Sequence, residues 1–307
     1  MPIYKQNGNK LVPVRERRID LEKTVQSLVE ANLEDVFGLQ FVTTEFALNS
    51  LRIDTLAFDE ETYAFVVIEY KRDRSFSVID QGYAYLALML NNKADFVLEY
   101  NEKCKKNLRK DDIDWSQSRV IFVAQSFTKY QQEAMGFQDL PIELWEVRQY
   151  DESLVLFNEL RASEKSESIK TVAKTKEADA VTAEIRQYSI DDHIKSDWKQ
   201  TRELFDDFVS QMQQLDQRFE AHALKTYIGF RIGNKNVVNV APKKTGLRVD
   251  LLRTKPEDIK DPENRVKYLE NSFKHWNQHV SVVNISNEDD MSYLMMLVKQ
   301  VYKRFVE

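Results

Sequence analysis

The sequence predicts an α/β domain in its first half and a second, α+β domain behind a charged linker, and three observations carry that reading. Along the first half, apolar residues switch repeatedly between helical spacing and strand-like runs. From Ala162 to Glu184 the chain is rich in Lys, Glu, Ser, Thr and Ala and contains no aromatic residue, Gly or Pro, the composition of an exposed linker. Beyond it the alternation of helix and strand patterns begins again. At 307 residues the chain is two average domains long, so the expected division is 1–160, a linker at 161–190, and 191–307.

From Ile19 to Phe37, Leu21, Val25, Leu28, Val29 and Leu33 recur at helical spacing, and Gly38 follows as a stop. Strand-like segments cover Gln40 to Phe46, Leu51 to Phe58 and Ala64 to Lys71, the last two joined as a hairpin by the acidic turn Asp59-Glu60-Glu61-Thr62. A helix is expected from Val78 to Asn91, then strands at Asp95 to Tyr100, Val120 to Ala124 and Ile142 to Tyr150, with a helix at Thr128 to Met135. Past the linker, a helix from Trp198 to Leu215 leads into strands near Ala223 to Ile232, Asn236 to Val240 and Leu247 to Leu252. A short helix near Asn264 to Asn271, a strand at His279 to Asn284 and a terminal helix from Asp289 to Phe305 complete the pattern.

Composition narrows the function classes. With 42 % hydrophobic and 31 % charged residues, the chain matches neither a disordered nor a disulfide-stapled protein. The single Cys104 allows no intrachain disulfide, and the start MPIYKQNGNK lacks the apolar run of a secretory signal, which together point to the cytoplasm. The longest apolar run, Ala84 to Leu90, falls far short of the roughly 20 residues a membrane-spanning helix needs. A net charge of −6 argues against coating nucleic acid by bulk positive charge and leaves room only for a local basic surface.

The chemistry concentrates on the expected hairpin. In Ala64-Phe65-Val66-Val67-Ile68-Glu69-Tyr70-Lys71 an apolar strand ends in two charged residues two positions apart, so Glu69 and Lys71 share a face and Tyr70 takes the other. Asp54 interrupts the preceding apolar strand, where a carboxylate is costly without a partner, and a hairpin brings it beside Glu69. Two such carboxylates form a hard-oxygen pocket suited to Mg²⁺ or Mn²⁺, with Lys71 placed to support an attacking water and offset charge on a phosphate. Gln81 and Tyr85 follow at i and i+4 on the next helix.

This Asp, hairpin, Glu-x-Lys arrangement resembles the PD-(D/E)xK nuclease superfamily of restriction-endonuclease-like fold, with Ile53 in the place of the signature's Pro. Gln81 and Tyr85 resemble the superfamily's QxxxY motif. The segment from Leu21-Glu22 to Glu30-Ala31-Asn32-Leu33 is similar to the first helix of archaeal and actinobacterial mismatch endonucleases, in which a glutamate adds a ligand; Glu22 and Glu30 are the two candidates. The resemblance covers residues 15 to 125. It implies a mixed sheet flanked by helices, Mg²⁺- or Mn²⁺-dependent hydrolysis of phosphodiesters in DNA, Asp54 and Glu69 as metal ligands, and a homodimer by analogy with double-strand cutters. The same residues also admit a non-catalytic reading: a strand-end ion pair and an exposed polar corner on a nuclease-like domain that serves in nucleic-acid binding or assembly.

Between Lys225 and Lys255, eight basic residues stand against the single acidic Asp250. Lys225, Tyr227, Arg231, Lys235, Lys243, Lys244 and Arg248, with Phe230 interleaved, are the candidate nucleic-acid-binding set. The half as a whole is similar to an uncharacterised domain family found behind such nuclease-like domains, in proteins sometimes labelled predicted transport proteins. No Gly-rich phosphate loop occurs, so no nucleotide cofactor is expected.

Overall fold

The computed structural model describes residues 2–19, 22–49, 51–71, 77–134, 141–160, 181, 184–186, 188–276 and 278–306, with side chains at all of these but 133, 134, 152, 274 and 275. The chain forms two compact units, Met1–Arg186 and Gln187–Glu307. The division falls inside the expected linker, most of which lies outside the described residues. Its far end joins the first unit instead of standing exposed. Val181 and Ile185, four apart and linked by a 2.8 Å hydrogen bond from the Ile185 N–H to the Val181 carbonyl, are buried in that unit's core.

The first unit is a mixed α/β sheet flanked by helices. Its strands are β1 (Ile3–Asn7), β2 (Lys10–Val14), β3 (Glu16–Arg17), β4 (Gln40–Leu48), β5 (Leu51–Asp59), β6 (Ala64–Lys71), β7 (Arg119–Ala124), β8 (Ile142–Tyr150) and β9 (Val155–Glu159). Its helices are α1 (Glu22–Glu30), α2 (Leu33–Phe37), α3 (Val78–Asn91), α4 (Lys93–Cys104) and α5 (Lys129–Ala134). β4, β5 and β6 form an antiparallel meander, and β6, β7 and β8 run parallel. β6 is buried on both faces, which is why it reads as an unbroken apolar run. One face, with Phe65, Val67 and Phe122, packs under α3 and α4; the other, with Val66, Ile68, Tyr70 and Ile121, packs under α1 and α2.

Two expectations here need correction. The strand expected at Asp95 to Tyr100 is helix α4. Phe96, Leu98 and Tyr100 imitate strand alternation, but Phe96, Val97 and Tyr100 are the buried set and Leu98 faces out, which is helical spacing. The single helix expected from Ile19 to Phe37 divides into α1 and α2 at Ala31-Asn32, with Gly38 closing α2 in the left-handed region at φ 68°. The hairpin β1–β2, unannounced by any apolar alternation, is a separate two-stranded sheet turning at Gly8 (φ 60°).

β3 has a location that matters for the site. Gln149 of β8 pairs with Arg17 and with Val155, while Trp145 and Glu146 pair with both β7 and β9. β3 therefore lies on the β7 side of β8, in line with β7 and beyond its carboxyl end. The Gln125 side chain, one residue past β7, donates to the Ile19 carbonyl and fixes that run.

The second unit is a six-stranded antiparallel sheet in the order β10-β11-β12-β13-β15-β14 (Glu220–Ala223, Ile228–Ile232, Lys235–Lys243, Gly246–Leu252, Val280–Ile285 and Lys267–Tyr268 for β10, β11, β12, β13, β15 and β14). It also holds α6 (Ile190–His193), α7 (Lys199–Leu215), α8 (Ser272–Trp276) and α9 (Met291–Val306). α7 and α9 cover one face through Leu204, Phe205, Phe208, Leu294, Leu297 and Val301. The strand expected from Ala223 to Ile232 is two strands joined at Leu224–Tyr227, where the Leu224 N–H donates to the Tyr227 carbonyl. The helix expected near Asn264 to Asn271 is absent there: Lys267–Tyr268 pairs with β15 as β14, and the helix starts at Ser272.

Gly246 turns β12 into β13 at φ 134°, and a Cβ there would stand 2.1 Å from the Ile285 carbonyl oxygen. Gly246→Ala should destabilise the second unit by roughly 2–4 kcal/mol, read as a lowered denaturant midpoint for that unit.

Candidate active site

The site begins where the β5–β6 ladder ends. Pairing runs from Asp59↔Ala64 to Thr55↔Ile68 and stops, and the next inter-strand bond is made by a side chain: the Tyr70 N–H donates to Asp54 Oδ2 at 3.0 Å. On its other flank Asp54 is also out of regular pairing. β4 pairs Thr44 with Thr55 and Phe46 with Ile53, and between them Glu45 sits at φ 54°, a left-handed conformation that a non-glycine residue adopts only under constraint. The backbone around Asp54 is thus spread on both sides and held by side chains. Gln26 Nε2, from α1, lies 3.0 Å from the Asp54 carbonyl, and Thr44 Oγ1 donates to the same carbonyl.

Glu69 and Lys71 point to the α3 face, as their spacing predicts. Lys71 Nζ donates to Glu69 Oε1 at 2.6 Å, and Gln81 Nε2 donates to the same oxygen at 3.2 Å. Gln81 also donates to the Tyr85 hydroxyl, which donates to the Arg52 carbonyl, so α3 is tied to the start of β5. α3 comes this close because Gly82 offers no side chain: a Cβ there would stand 2.3 Å from Ile142 Cδ1. Ser77 caps the helix by accepting from the Asp80 N–H. Glu69 is only 4 % exposed, and its second oxygen, Oε2, is buried with no hydrogen-bond partner among the described residues. A carboxylate oxygen stripped of water and left bare costs several kcal/mol unless a cation or donor completes it.

Burial, then the Glu69 charge and more weakly that of Glu22, push the Asp54 carboxyl up from 3.8 to about 6, against the pull of the Tyr70 N–H and Lys71. Burial, then the Glu69 carboxylate, pushes the Tyr85 phenol up as well. Glu22, exposed at the start of α1, is therefore within electrostatic reach of Asp54.

Glu30 lies on the opposite face. Its Oε1 accepts from Thr55 Oγ1 at 2.6 Å and from Gln26 Nε2 at 3.0 Å, and Thr55 Oγ1 is 3.2 Å from the Tyr70 hydroxyl. The structure brings Asp54, Glu69, Lys71, Gln81 and Tyr85 together and turns Glu30 toward the α1 side. Sequence reasoning missed Gln26 and Thr55; the signal was a Gln within the buried stripe of α1 between Val25 and Val29. Among the described residues no group of three or more His, Cys, Asp and Glu side chains converges to cage a metal. A pair of carboxylates with one bare buried oxygen nevertheless fits a hard divalent ion, which takes one or two carboxylates and completes its shell with water and phosphate.

The C-terminal basic set is spread over several surfaces. Arg231 and Arg248 lie on the sheet face away from the helices, paired with Glu220 at 3.4 Å and Asp250 at 2.8 Å. Lys225 and Tyr227 flank the β10–β11 turn, Lys243 and Lys244 the β12–β13 turn, and Lys235 the β11–β12 turn. Phe230, expected as a stacking aromatic, is core, packed against Phe205 and Phe208. No helix among the described residues is long and apolar enough to cross a membrane.

An uncharacterized protein of Haemophilus influenzae is 38 % identical over 304 residues, covering 99 % of this chain and 100 % of that protein. The chain belongs to its family. Residues 190–304, within the second unit, match a family model described as a domain of unknown function, DUF5655. Among solved structures, EndoMS in complex with dsDNA aligns at a TM-score of 0.29 and 18 % identity, over 48 % of this chain and 64 % of that one. A repair endonuclease from Pyrococcus abyssi aligns at 0.23 and 19 %, over 43 % and 50 %. SfsA of Pyrococcus furiosus, in complex with Ca²⁺, aligns at 0.24 and 12 %, over 46 % and 63 %. The chain thus spans less than two thirds of each of these structures.

Proposed function

We propose that this family member is a metal-dependent nuclease that hydrolyses phosphodiester bonds, with DNA as its substrate. The observation that carries the reading is the buried Oε2 of Glu69, without a hydrogen-bond partner among the described residues, beside a second carboxylate, Asp54, with the Lys71 ammonium on the first carboxylate's other oxygen. Asp54 and Glu69 are the residues that would hold Mg²⁺ or Mn²⁺, and Glu22 is the candidate further carboxylate, its charge acting on Asp54. Such an ion, when bound, polarises the phosphate and acidifies a water.

The remaining roles belong to the chain's own groups. Lys71 is positioned to hold the attacking water and to neutralise charge developing on the phosphate. Gln81, itself bonded to the Tyr85 hydroxyl, fixes the Glu69 carboxylate through Oε1. Gln26 and Thr44 hold the backbone of Asp54. The second unit is proposed as the domain that recognises substrate or partner.

The test is a labelled panel of single-stranded, double-stranded and branched DNA, incubated with the full chain and Mg²⁺, Mn²⁺ or a chelator. Cleavage that appears with metal and stops with chelator is expected. Binding without cleavage under every metal condition would transfer the assignment to a nuclease-like recognition or assembly module.

A further inference from the structure

The hairpin β1–β2 is built as a projecting ribbon. Its five-pair register runs from Ile3↔Val14 to Asn7↔Lys10, only Ile3 and Val14 at its root are partly buried, and Tyr4, Leu11 and Val12 are 51, 65 and 50 % exposed. An isolated two-stranded hairpin is marginal in water, and exposed large apolar side chains on one are a liability unless a partner takes them up. Side chains divide by pairing: Tyr4, Gln6, Leu11 and Pro13 share one face, and Lys5, Asn7, Lys10 and Val12 share the other with the root residues. The segment 2–18 holds Lys5, Lys10, Arg15, Arg17 and Arg18 against Glu16, a local charge of +4 in a chain whose total is −6.

The ribbon leads through β3 into the sheet that carries the site. β3, in line with β7 beyond its carboxyl end, is one strand over from β6; Lys71 pairs with Ala124, Ala124 with Glu146, and Arg17 with Gln149 three residues on. With about 3.3 Å per residue and about 4.8 Å between strands, the Arg17 backbone lies roughly 11 Å from that of Lys71. From Arg17 the chain passes Ile19, held by Gln125, and enters α1 at Glu22.

We propose that the ribbon Ile3–Val14 is a duplex-gripping arm that enters a groove of double-stranded DNA lying across the carboxylate site. This inference rests on the nuclease reading and adds to it the form of the substrate. Its strands, each about 17 Å long, make a ribbon of the width a major groove of about 12 Å admits. The cationic tip faces phosphates, and Tyr4 and Leu11 take apolar contacts with bases and sugars. The local charge fits a polyanion such as the DNA backbone, and the oligomeric state of wild-type and variant chains separates this occupant from a second copy of the acidic chain.

The test compares the wild-type chain with the Lys5→Glu/Lys10→Glu double variant in three measurements. Anisotropy of a labelled duplex of about 20 base pairs, in chelator, should show binding weakened ~10-fold or more, with the salt slope reduced by about 2. Mn²⁺-dependent hydrolysis of bis(p-nitrophenyl) phosphate, a substrate too small to touch the ribbon, should be unchanged, which also shows the variant to be folded. Chromatography should give one oligomeric state for both proteins. Equal duplex binding by both, no duplex binding by wild type, or a change of oligomeric state in the variant would overturn the arm. If the variant loses duplex binding while neither protein hydrolyses either substrate, the arm stands and the nuclease reading fails.

Discussion

Replacing Lys71 with alanine should lower metal-dependent cleavage by ~10²–10⁴-fold, the range in which a positioned proton-transfer or charge-stabilising group acts. The ammonium is 2.6 Å from Glu69 Oε1 and its side chain is only 20 % exposed. Removing it leaves Glu69 more negative in a buried setting, and the affinity for the divalent ion should be kept or increased. The expected signature is a fall in kcat with KM little changed and metal-induced stabilisation retained. Rates are to be followed on labelled duplex with Mn²⁺, and metal binding by calorimetry on the same preparation. A variant that cuts at the wild-type rate would remove Lys71 from the mechanism; one that loses metal binding as well would make it a structural ion-pair partner.

Asp54→Asn should abolish cleavage and, in the absence of metal, make the first unit more stable near neutral pH. The folded carboxyl titrates at about 6 against 3.8 ordinarily. Below 3.8 both folded and unfolded chains hold the proton. Between 3.8 and 6 only the folded chain holds it, so stability falls as pH rises through that window, and the deficit persists above it. The full shift corresponds to ~3 kcal/mol, which water at the half-buried carboxylate reduces to an expected ~1–2 kcal/mol. Asparagine is neutral and still accepts the Tyr70 N–H, so the variant should melt higher than wild type at pH 7.5 and equal to it near pH 3.5. Mg²⁺ should raise the melting temperature of wild type and not of the variant. A wild type more stable than the variant at neutral pH without metal would show that the Asp54 charge is already compensated within the protein.

Much of this site was legible because its logic is local. Two-residue spacing put Glu69 and Lys71 on one face, a short turn put Asp54 beside them, and i, i+4 spacing put Gln81 and Tyr85 on a helix that faces them. What stayed hidden depends on tertiary packing. Glu22 and Glu30 lie on one helix, and only the docking of α1 turns Glu30 to Thr55 and Gln26 while Glu22 keeps within reach of Asp54. The left-handed Glu45 has no Gly or Asn to announce it; ion pairs with Lys23 and Arg52 hold it there. α4 was misread because alternating Phe96, Leu98 and Tyr100 satisfy the strand period, and only burial shows which of them is outside. In the second half, the basic count could not reveal that Arg231 and Arg248 face carboxylates and Phe230 faces the core.

Because β6 finds its second neighbour in β7, which enters the chain about fifty residues later, the pocket cannot close on a growing polypeptide until most of the first unit has been synthesised. The two carboxylates and the lysine are made early, within one hairpin, yet the wall that seals Glu69 comes late. A ribosome-bound or truncated product would carry the acidic residues without the enclosure that gives them their chemistry. For a protein proposed to cut DNA, assembly order then ties activity to a completed first unit.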